Sequence, residues 1–276
     1  MHFIFHTGHV GSTLLSRLLD DTGLVLGLRE PLPLRTLADA YDSLGSADSL
    51  LSEDQFDGLL DMLLRLWGRG YGWTRATVIK ATSTAGRLAP RLLKALPSSR
   101  AVYLNVDAEI YLATLLGGAN SSQDLRGHGP GRMRRLLAGR ALPVAPLHAL
   151  APGELAALGW LTESLAAAAA VAAGAGRVLA LDFDDFLADI PGQLARVLTH
   201  FGLPHDDALL RALAGSQVLA QYSKAPELPY PPGERAGRLA AARREHAAEI
   251  AKGLIWLDSL ARADTAIAAV AGRVTA

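Results

Sequence analysis

The sequence predicts an α/β fold, a three-layer arrangement with a central, mostly parallel sheet and helices on both faces. Five short runs are apolar on both faces and end in polar or glycine residues, which is typical of buried parallel strands. These runs are His2–Phe5, Leu24–Leu28, Thr77–Lys80, Ala101–Leu104 and Val178–Leu181. Segments with leucine or alanine at helical spacing separate them, and this alternation favours a parallel sheet. The predicted helices are Ser12–Asp20, Glu53–Leu66, Leu88–Leu96, Gly153–Ala173 and Pro191–Phe201.

Two segments depart from the alternation within what we expect to be a single domain, residues 1–276. Residues 117–152 are rich in glycine, proline and arginine and are too long for an ordinary connection. We interpret them as a lid, a substrate-binding insertion, or a partly mobile segment with a short helix. Residues 235–274 are alanine-rich and predict a C-terminal helical segment that covers the outside of the sheet.

The composition excludes several classes of site. The chain has 27 Lys plus Arg and 27 Asp plus Glu, and this zero net charge disfavours a nucleic-acid partner. Cysteine is absent, so disulfides, thiolate metal sites and a cysteine nucleophile are excluded. The apolar stretch Leu165–Ala175 is too short to span a membrane, and the first residues lack the features of a signal peptide. We therefore expect a cytoplasmic protein without a membrane partner; its oligomeric state cannot be read.

The segment that carries the most chemical information is a glycine-containing turn between the first strand and the first helix, residues 3–15. The N–H groups at a helix start have no intrahelical acceptor, and the helix dipole adds partial positive charge, so such a turn binds phosphate or sulfate. The alternative is that a serine simply caps the helix. The predicted anion ligands are the amides and side chains of Gly8, His9, Val10, Gly11, Ser12 and Thr13.

The turn does not follow the Walker A pattern, because Ser12 rather than lysine comes after Gly11. It instead resembles the phosphosulfate-binding loop of the PAPS-dependent sulfotransferases of bacterial type, matching at Gly11, Ser12, Thr13 and the leucine pair that follows. The resemblance implies a P-loop nucleotide-hydrolase-like form of the α/β fold. His9 stands where the family has Lys or Arg, and it would neutralise charge on the sulfuryl group in its protonated form.

Two further residues at strand ends fit this chemistry. An acceptor hydroxyl must lose its proton as it attacks, and the resemblance implies that Glu30, after the second strand, is the base. The alternative is a surface pair between Arg29 and Glu30. Lys80 ends the third strand and would face the same crevice as Gly11, where it can stabilise developing charge. The alternative there is a solvated lysine.

A third resemblance lies in residues 182–204, an acidic turn that leads into a helix. We expect its carboxylates to cap that helix. The competing interpretation makes Asp182 a Walker B residue that binds magnesium.

The segment 101–114 resembles the part of the family that grips the 3′-phosphate of PAPS with an Arg and a Ser. Those positions fall on Val106 and Thr114. Threonine can replace serine, but valine offers neither charge nor donor. The basic residues that can substitute are Arg126, Arg132, Lys224 and Arg235. The last two belong to a proline-rich segment, 222–235, which is either a nucleotide-covering loop or an ordinary surface loop.

Together these features predict a sulfotransferase that moves a sulfuryl group from PAPS to a hydroxyl or amine and releases adenosine 3′,5′-bisphosphate. The expected acceptor is a small molecule, a glycan or a peptide, and no metal is required. Two alternatives stay open: a degenerate P-loop kinase, and a non-catalytic nucleotide- or anion-binding protein derived from sulfotransferases. The acceptor itself cannot be read from the sequence.

Overall fold

The computed structural model describes residues 1–118, 121–223, 225–231 and 233–272, the side chains of residues 121 and 122 aside. Its centre is a five-stranded, wholly parallel sheet in the order β2-β3-β1-β4-β5, with helices around it. The fold class is therefore α/β, as predicted. The strands are β1 (His2–His6), β2 (Val25–Arg29), β3 (Ala76–Lys80), β4 (Ala101–Asn105) and β5 (Val178–Asp182).

Helices alternate with these strands along the chain and continue after the last of them. They are α1 (Ser12–Asp20), α2 (Leu32–Tyr41), α3 (Glu53–Trp67), α4 (Ala89–Ala95), α5 (Ala108–Leu116), α6 (Ser121–Leu137), α7 (Pro152–Gly174), α8 (Phe183–Ala188), α9 (Ile190–Phe201), α10 (Asp207–Ala214), α11 (Glu234–Glu245), α12 (Ala247–Ala263) and α13 (Thr265–Ala271). Short 3₁₀ turns occur at Ser83–Leu88, Leu147–Ala149 and Gln217–Ala220.

All five predicted strands and all five predicted helices are confirmed, with ends that differ by one residue or less. The segment 117–152 differs from the expectation of a short helix, because α6 has 17 residues. Its run of glycines and one proline concealed the helical pattern. The C-terminal segment forms α11, α12 and α13.

The central strands are buried on both faces because each lies between two neighbours and beneath helices. Phe3, Ile4 and Phe5 of β1 and Tyr103 and Leu104 of β4 have no exposed surface. The rings of Phe3 and Phe5 lie 5.6 Å apart. This burial fixes the direction of β1 and hence the place where its carboxyl end opens into the first turn.

The contacts divide the chain into two compact units, each with its own buried residues. Unit 1 is 1–105 with 169–231, and it holds the whole sheet. Unit 2 is 106–168 with 232–276, and its described part holds α5, α6, most of α7 and the three C-terminal helices.

Helix α7 is the one helix of the described residues that is long and apolar enough to cross a membrane by length and composition. The sequence estimate counted only residues 165–175, whereas the helix runs over 23 residues from Pro152 to Gly174. Of its most apolar window, 61% is buried inside the protein, a property shared with the core helices of soluble proteins.

Candidate anion site at the carboxyl edge of the sheet

The turn after β1 is held in a conformation that favours glycine. Gly8 has a φ of 108° and Gly11 a φ of 67°, both in the left-handed half of the map. His9, between them, has a φ of 54°, although it carries a side chain. A non-glycine residue in this region costs of order 1–3 kcal/mol, and such strain is concentrated at functional sites. The conformation of the turn is therefore typical of a functional site and does not favour local stability.

The start of α1 has no side-chain cap. Gly11 occupies the N-cap position, and Leu15 N–H donates to the Gly11 carbonyl at 3.1 Å to begin the helix. The alternative that Ser12 caps the helix is therefore wrong; Ser12 is the first helical residue and is 5% exposed. The first-turn N–H groups of Ser12 and Thr13 have no intrahelical acceptor. Val10 is buried, so only its backbone can serve an anion.

An aromatic ring from the far end of the sheet closes over this turn. A Cβ built on Gly11 would lie 2.0 Å from the ring of Phe183, the first residue of α8. Both the positive φ and this contact therefore require glycine at position 11. The close approach of the ring fixes the backbone of the turn from one side.

The acidic segment caps helices, as expected: an Asp189 carboxylate oxygen accepts from the Gly192 N–H at 3.0 Å at the start of α9, the helix predicted from the sequence. Asp182 caps α8, which the sequence did not predict. An Asp182 carboxylate oxygen accepts from the N–H groups of Asp184 and Asp185 at 2.7 and 3.3 Å and so caps α8. Burial raises the pKa of Asp182, an effect that these backbone hydrogen bonds oppose. The carboxylate is already engaged where the Walker B interpretation needs it for magnesium.

Glu30 and Lys80 form an ion pair at the neighbouring strand ends. Strands β2 and β3 pair in parallel with Arg29 opposite Lys80, and Glu30 N–H donates to the Lys80 carbonyl at 2.7 Å. The Lys80 ammonium contacts a Glu30 carboxylate oxygen, Oε1. Lys80 is 2% exposed, so it is not the solvated lysine of the alternative. Arg29 contacts Asp20 instead of Glu30, so the surface-pair alternative is also wrong.

Glu30 itself has a φ of 50°, in the same strained region as His9. Among the described residues, only Ala175 shares this property outside glycine. The side chain of Glu30 is 44% exposed, so one face of the ion pair is open to solvent. The backbone of Glu30 is strained, and its half-exposed carboxylate contacts a buried ammonium. This arrangement is suited to hold the carboxylate toward a ligand.

Buried hydroxyls near these strand ends were not singled out by sequence. Thr7 directly follows β1 and has no exposed surface, and its hydroxyl has no partner among the described residues. The hydroxyl of Thr82, two residues past β3, has none either. The His6 ring contacts the Ala81 carbonyl at 3.0 Å and so joins the ends of β1 and β3. Position directly after a buried strand was the signal that could have identified Thr7.

The residues predicted for the nucleotide end belong to unit 2, apart from Lys224, which lies outside the described residues. Thr114, in α5, donates its hydroxyl proton to the Ile110 carbonyl at 2.7 Å. Val106 is 4% exposed, and its carbonyl accepts from the Trp160 ring at 3.0 Å. Arg235 is half-buried in the first turn of α11.

Arg132 and Arg126, the other proposed substitutes for the missing arginine, differ in exposure. Arg126 is exposed. Arg132 is 3% exposed and lies 4.0 Å from the carboxylate of Glu163, which also pairs with Arg135 at 2.8 Å. Sequence reasoning did not find this buried cluster in unit 2, because its partners come from two helices.

Comparison with known proteins gives likenesses to solved structures only. No protein-family profile and no curated protein matches the chain. The sulfotransferase domain from the curacin biosynthetic pathway is similar over 87% of this chain and 96% of its own, with 14% identity and a TM-score of 0.47. A sulfotransferase from Alicyclobacillus acidocaldarius is similar over 95% and 96%, with 14% identity and a TM-score of 0.48. Retinol dehydratase, in complex with androsterone and the inactive cofactor PAP, is similar over 92% and 80%, with 14% identity and a TM-score of 0.43. The likeness is one of fold.

Proposed function

We propose that the protein is a sulfotransferase that moves a sulfuryl group from PAPS to a hydroxyl or amine acceptor. The observation that carries the proposal is the pairing of Glu30 with Lys80 on the same edge of the sheet as the uncapped turn at Gly8–Thr13. An anion site and a supported carboxylate at the same edge of the sheet are the two parts that this reaction needs.

The residues of the turn fit the phosphosulfate end of the donor. The first-turn amides of α1 are without side-chain caps, and the hydroxyls of Ser12 and Thr13 add two donors. The buried Thr7 hydroxyl, without a partner among the described residues, supplies a third polar atom next to the turn. His9 is exposed in the turn and, when protonated, would balance the charge of the leaving phosphate.

Glu30 would take the acceptor's proton as the acceptor oxygen or nitrogen bonds to sulfur and the bond from sulfur to the bridging oxygen breaks. Oxygen Oε1 of Glu30 is held by Lys80, which leaves Oε2 for that proton. Lys80 then acts through Glu30 and is a positioning residue. This role differs from the direct charge stabilisation expected from the sequence.

The residues that would bind the nucleotide end of the donor match the family less well than those of the turn. Val106 provides no cation where the family has arginine, so any contact with the 3′-phosphate has to come from another basic side chain. Thr114, Lys224 and Arg235 remain predictions for this role, and cytoplasmic localisation remains a prediction as well.

The donor assignment is tested by calorimetry with adenosine 3′,5′-bisphosphate, with adenosine 5′-monophosphate as the comparison. We expect the bisphosphate to bind and Gly11→Ala to weaken it at least tenfold. Binding of neither nucleotide at millimolar concentration contradicts the proposal. Equal binding of both shows that the 3′-phosphate is not recognised.

Catalysis is tested separately with Glu30→Gln in a sulfuryl-transfer assay over a panel of hydroxyl and amine acceptors. We expect this variant to lose turnover by about 10²–10⁴-fold, the usual contribution of a general base, and to keep nucleotide binding. Glu245→Gln, on an exposed side chain of α11, is the matched control. Nucleotide binding without turnover for any acceptor supports the non-catalytic alternative. Magnesium-dependent ATP turnover supports the kinase.

A further inference from the structure

Helix α3 and the loop after it expose an unusual amount of apolar surface. Five large apolar side chains within fifteen residues are exposed, two of them aromatic: Leu59, Met62, Leu66, Tyr71 and Trp73. We call these five residues the α3 surface. The other exposed large apolar residues of the described chain lie far apart in sequence, apart from Tyr222 and Leu228, which share a backbone hydrogen bond. A concentrated exposed patch marks an interaction site.

The helical residues of the α3 surface lie on one side of the helix. Leu59, Met62 and Leu66 follow the spacing i, i+3, i+7, so they form one stripe. The helix already buries a different face, through Phe56, Leu60 and Leu64. Past the end of the helix, Tyr71 and Trp73 stack with parallel rings 5.6 Å apart, and both rings are about 60% exposed. Tyrosine and tryptophan are the residues that dominate binding energy at protein interfaces.

Charge is separated along the same helix. Its first five residues include Glu53, Asp54 and Asp57, of which Glu53 and Asp57 already pair with Arg91. From residue 62 to residue 75 the chain has three arginines, Arg65, Arg69 and Arg75, and no acidic residue. Asp54, Asp61 and Arg65 lie on one flank of the apolar stripe because they are seven and four residues apart. Asp61 and Arg65 pair with each other at 2.8 Å, so the charges left for a partner are Asp54 near the amino end and Arg69 past the carboxyl end.

We propose that the α3 surface binds the α3 surface of a second copy of this chain, with the two helices antiparallel about a two-fold axis. In such an interface residue i contacts residue j while j contacts i. The acidic end of each helix then meets the basic end of the other, and the two apolar stripes cover one another. Met62, in the middle of the stripe, lies near the axis and faces its own copy.

The distribution of acids selects this partner over an anionic membrane. A helix that lies on such a membrane has a basic polar face. Here two acids, Asp54 and Asp61, border the apolar stripe, and an anionic surface would repel them. A second copy places Arg69 opposite Asp54 instead.

The proposed interface leaves the candidate anion site open. The loop with Tyr71 and Trp73 precedes β3, at the amino end of the strand, whereas Lys80 lies at its carboxyl end. Both belong to unit 1. Association through the α3 surface is thus independent of the proposed transfer reaction, and it can be tested whether or not that reaction occurs.

Sedimentation equilibrium of the full chain over a range of concentrations tests the proposal. We expect a dimer for the unmodified protein and a dissociation constant at least tenfold higher for Met62→Lys, because two ammonium groups would meet near the axis. Ile255→Lys replaces an exposed apolar residue on α12 and should leave the dimer intact. Thermal unfolding of each variant shows that it is folded. A monomeric unmodified protein at every concentration overturns the proposal.

A charge exchange tests the antiparallel geometry. Asp54 and Arg69 have no ion-pair partner among the described residues. Asp54→Arg and Arg69→Glu should each weaken self-association, since like charges then meet at both ends. An equal mixture of the two variants should restore the dimer, because every contact again joins opposite charges. A mixture that stays monomeric overturns the antiparallel arrangement. The proposal is overturned in favour of a membrane if the unmodified protein is a monomer that sediments with phosphatidylserine vesicles and Met62→Lys no longer does so.

Discussion

Gly11 combines two constraints that a single added methyl group violates. Its φ of 67° disfavours a side chain, and the ring of Phe183 occupies the position of a Cβ. We expect Gly11→Ala to lower the free energy of unfolding by more than the roughly 1–2 kcal/mol that the left-handed conformation costs alone, because the ring must also move. Denaturant unfolding measures this loss.

Gly23→Ala is the matched control for that prediction. Gly23 has nearly the same φ, 70°, and nothing lies within 4 Å of the position of its Cβ. The difference between the two variants isolates the contact with Phe183. Equal losses for both would mean that the ring gives way at no cost and does not hold the turn.

The ion pair of Glu30 and Lys80 gives a second prediction at this scale. Glu30→Gln leaves the Lys80 ammonium, which is 2% exposed, without its carboxylate. We expect a loss of about 1–3 kcal/mol in the free energy of unfolding. Lys80→Met should restore part of this loss in the double variant, because it removes the buried charge.

A double-mutant cycle with urea unfolding measures the coupling between the two residues. Independent effects of Glu30→Gln and Lys80→Met would show that the pair does not act as a unit. In that case Lys80 has no positioning role.

Single residues also show what a sequence reveals about a site. That Glu30 and Lys80 lie at one edge of the sheet was predictable, because the carboxyl ends of parallel strands share an edge. Their direct contact was not, since it depends on the strand order, with β2 beside β3. The contact of Phe183 with Gly11 was equally hidden, because it joins residues that are distant in sequence.

At the scale of elements, the strands and the amphipathic helices were predictable because their patterns are strong. Helix α6 was not, because Gly127, Gly129, Pro130 and Gly131 interrupt its pattern. Glycine and proline disfavour a helix interior. Burial compensates for this weakness: Leu125 and Leu136 are 3% and 0% exposed. Tertiary packing thus overrides the low helix propensity of the glycines and the proline in α6.

Helix α6 should therefore be stabilised by replacing one of these glycines. Gly131 is helical, and nothing lies within 4 Å of the position of its Cβ. We expect Gly131→Ala to raise the free energy of unfolding by roughly 0.5–1 kcal/mol, measured in urea. Gly129→Ala, whose Cβ would lie 3.2 Å from Leu147, should gain less. A larger gain at 129 than at 131 would contradict this account of the helix.

At the scale of the whole molecule, the zero net charge conceals two arrangements. One is the ion pair at the edge of the sheet in unit 1. The other is the cluster of Arg132, Arg135 and Glu163 in unit 2, in which two arginines surround one carboxylate. The composition gives the sum of the charges, but it does not show which charges are buried. Burial determines where stability depends on pH.

On the acid side, His2 contributes to that dependence. Its ring stacks on Phe201 at 4.8 Å, and its Nδ1 accepts from the Arg100 N–H at 3.2 Å. Burial, then the positive charges of the amino terminus, Arg100 and His200, lower the pKa of His2 from 6.5 to about 4. Between these values the unfolded chain binds a proton that the folded chain does not. The contribution of His2 to stability is therefore fully present above pH 6.5 and is lost as the pH drops toward 4.

The alkaline side depends on Tyr111, which is buried in unit 2. Burial raises the pKa of its hydroxyl from 10.0 to about 12, so the unfolded chain loses this proton first. The contribution of Tyr111 to stability is then full below pH 10 and is lost as the pH rises toward 12. His2→Gln should flatten only the acid fall, and Tyr111→Phe only the alkaline one, in urea unfolding measured across both pH ranges. Each variant is the control for the other, and an acid fall of unchanged size in His2→Gln would assign it to other groups, such as His200.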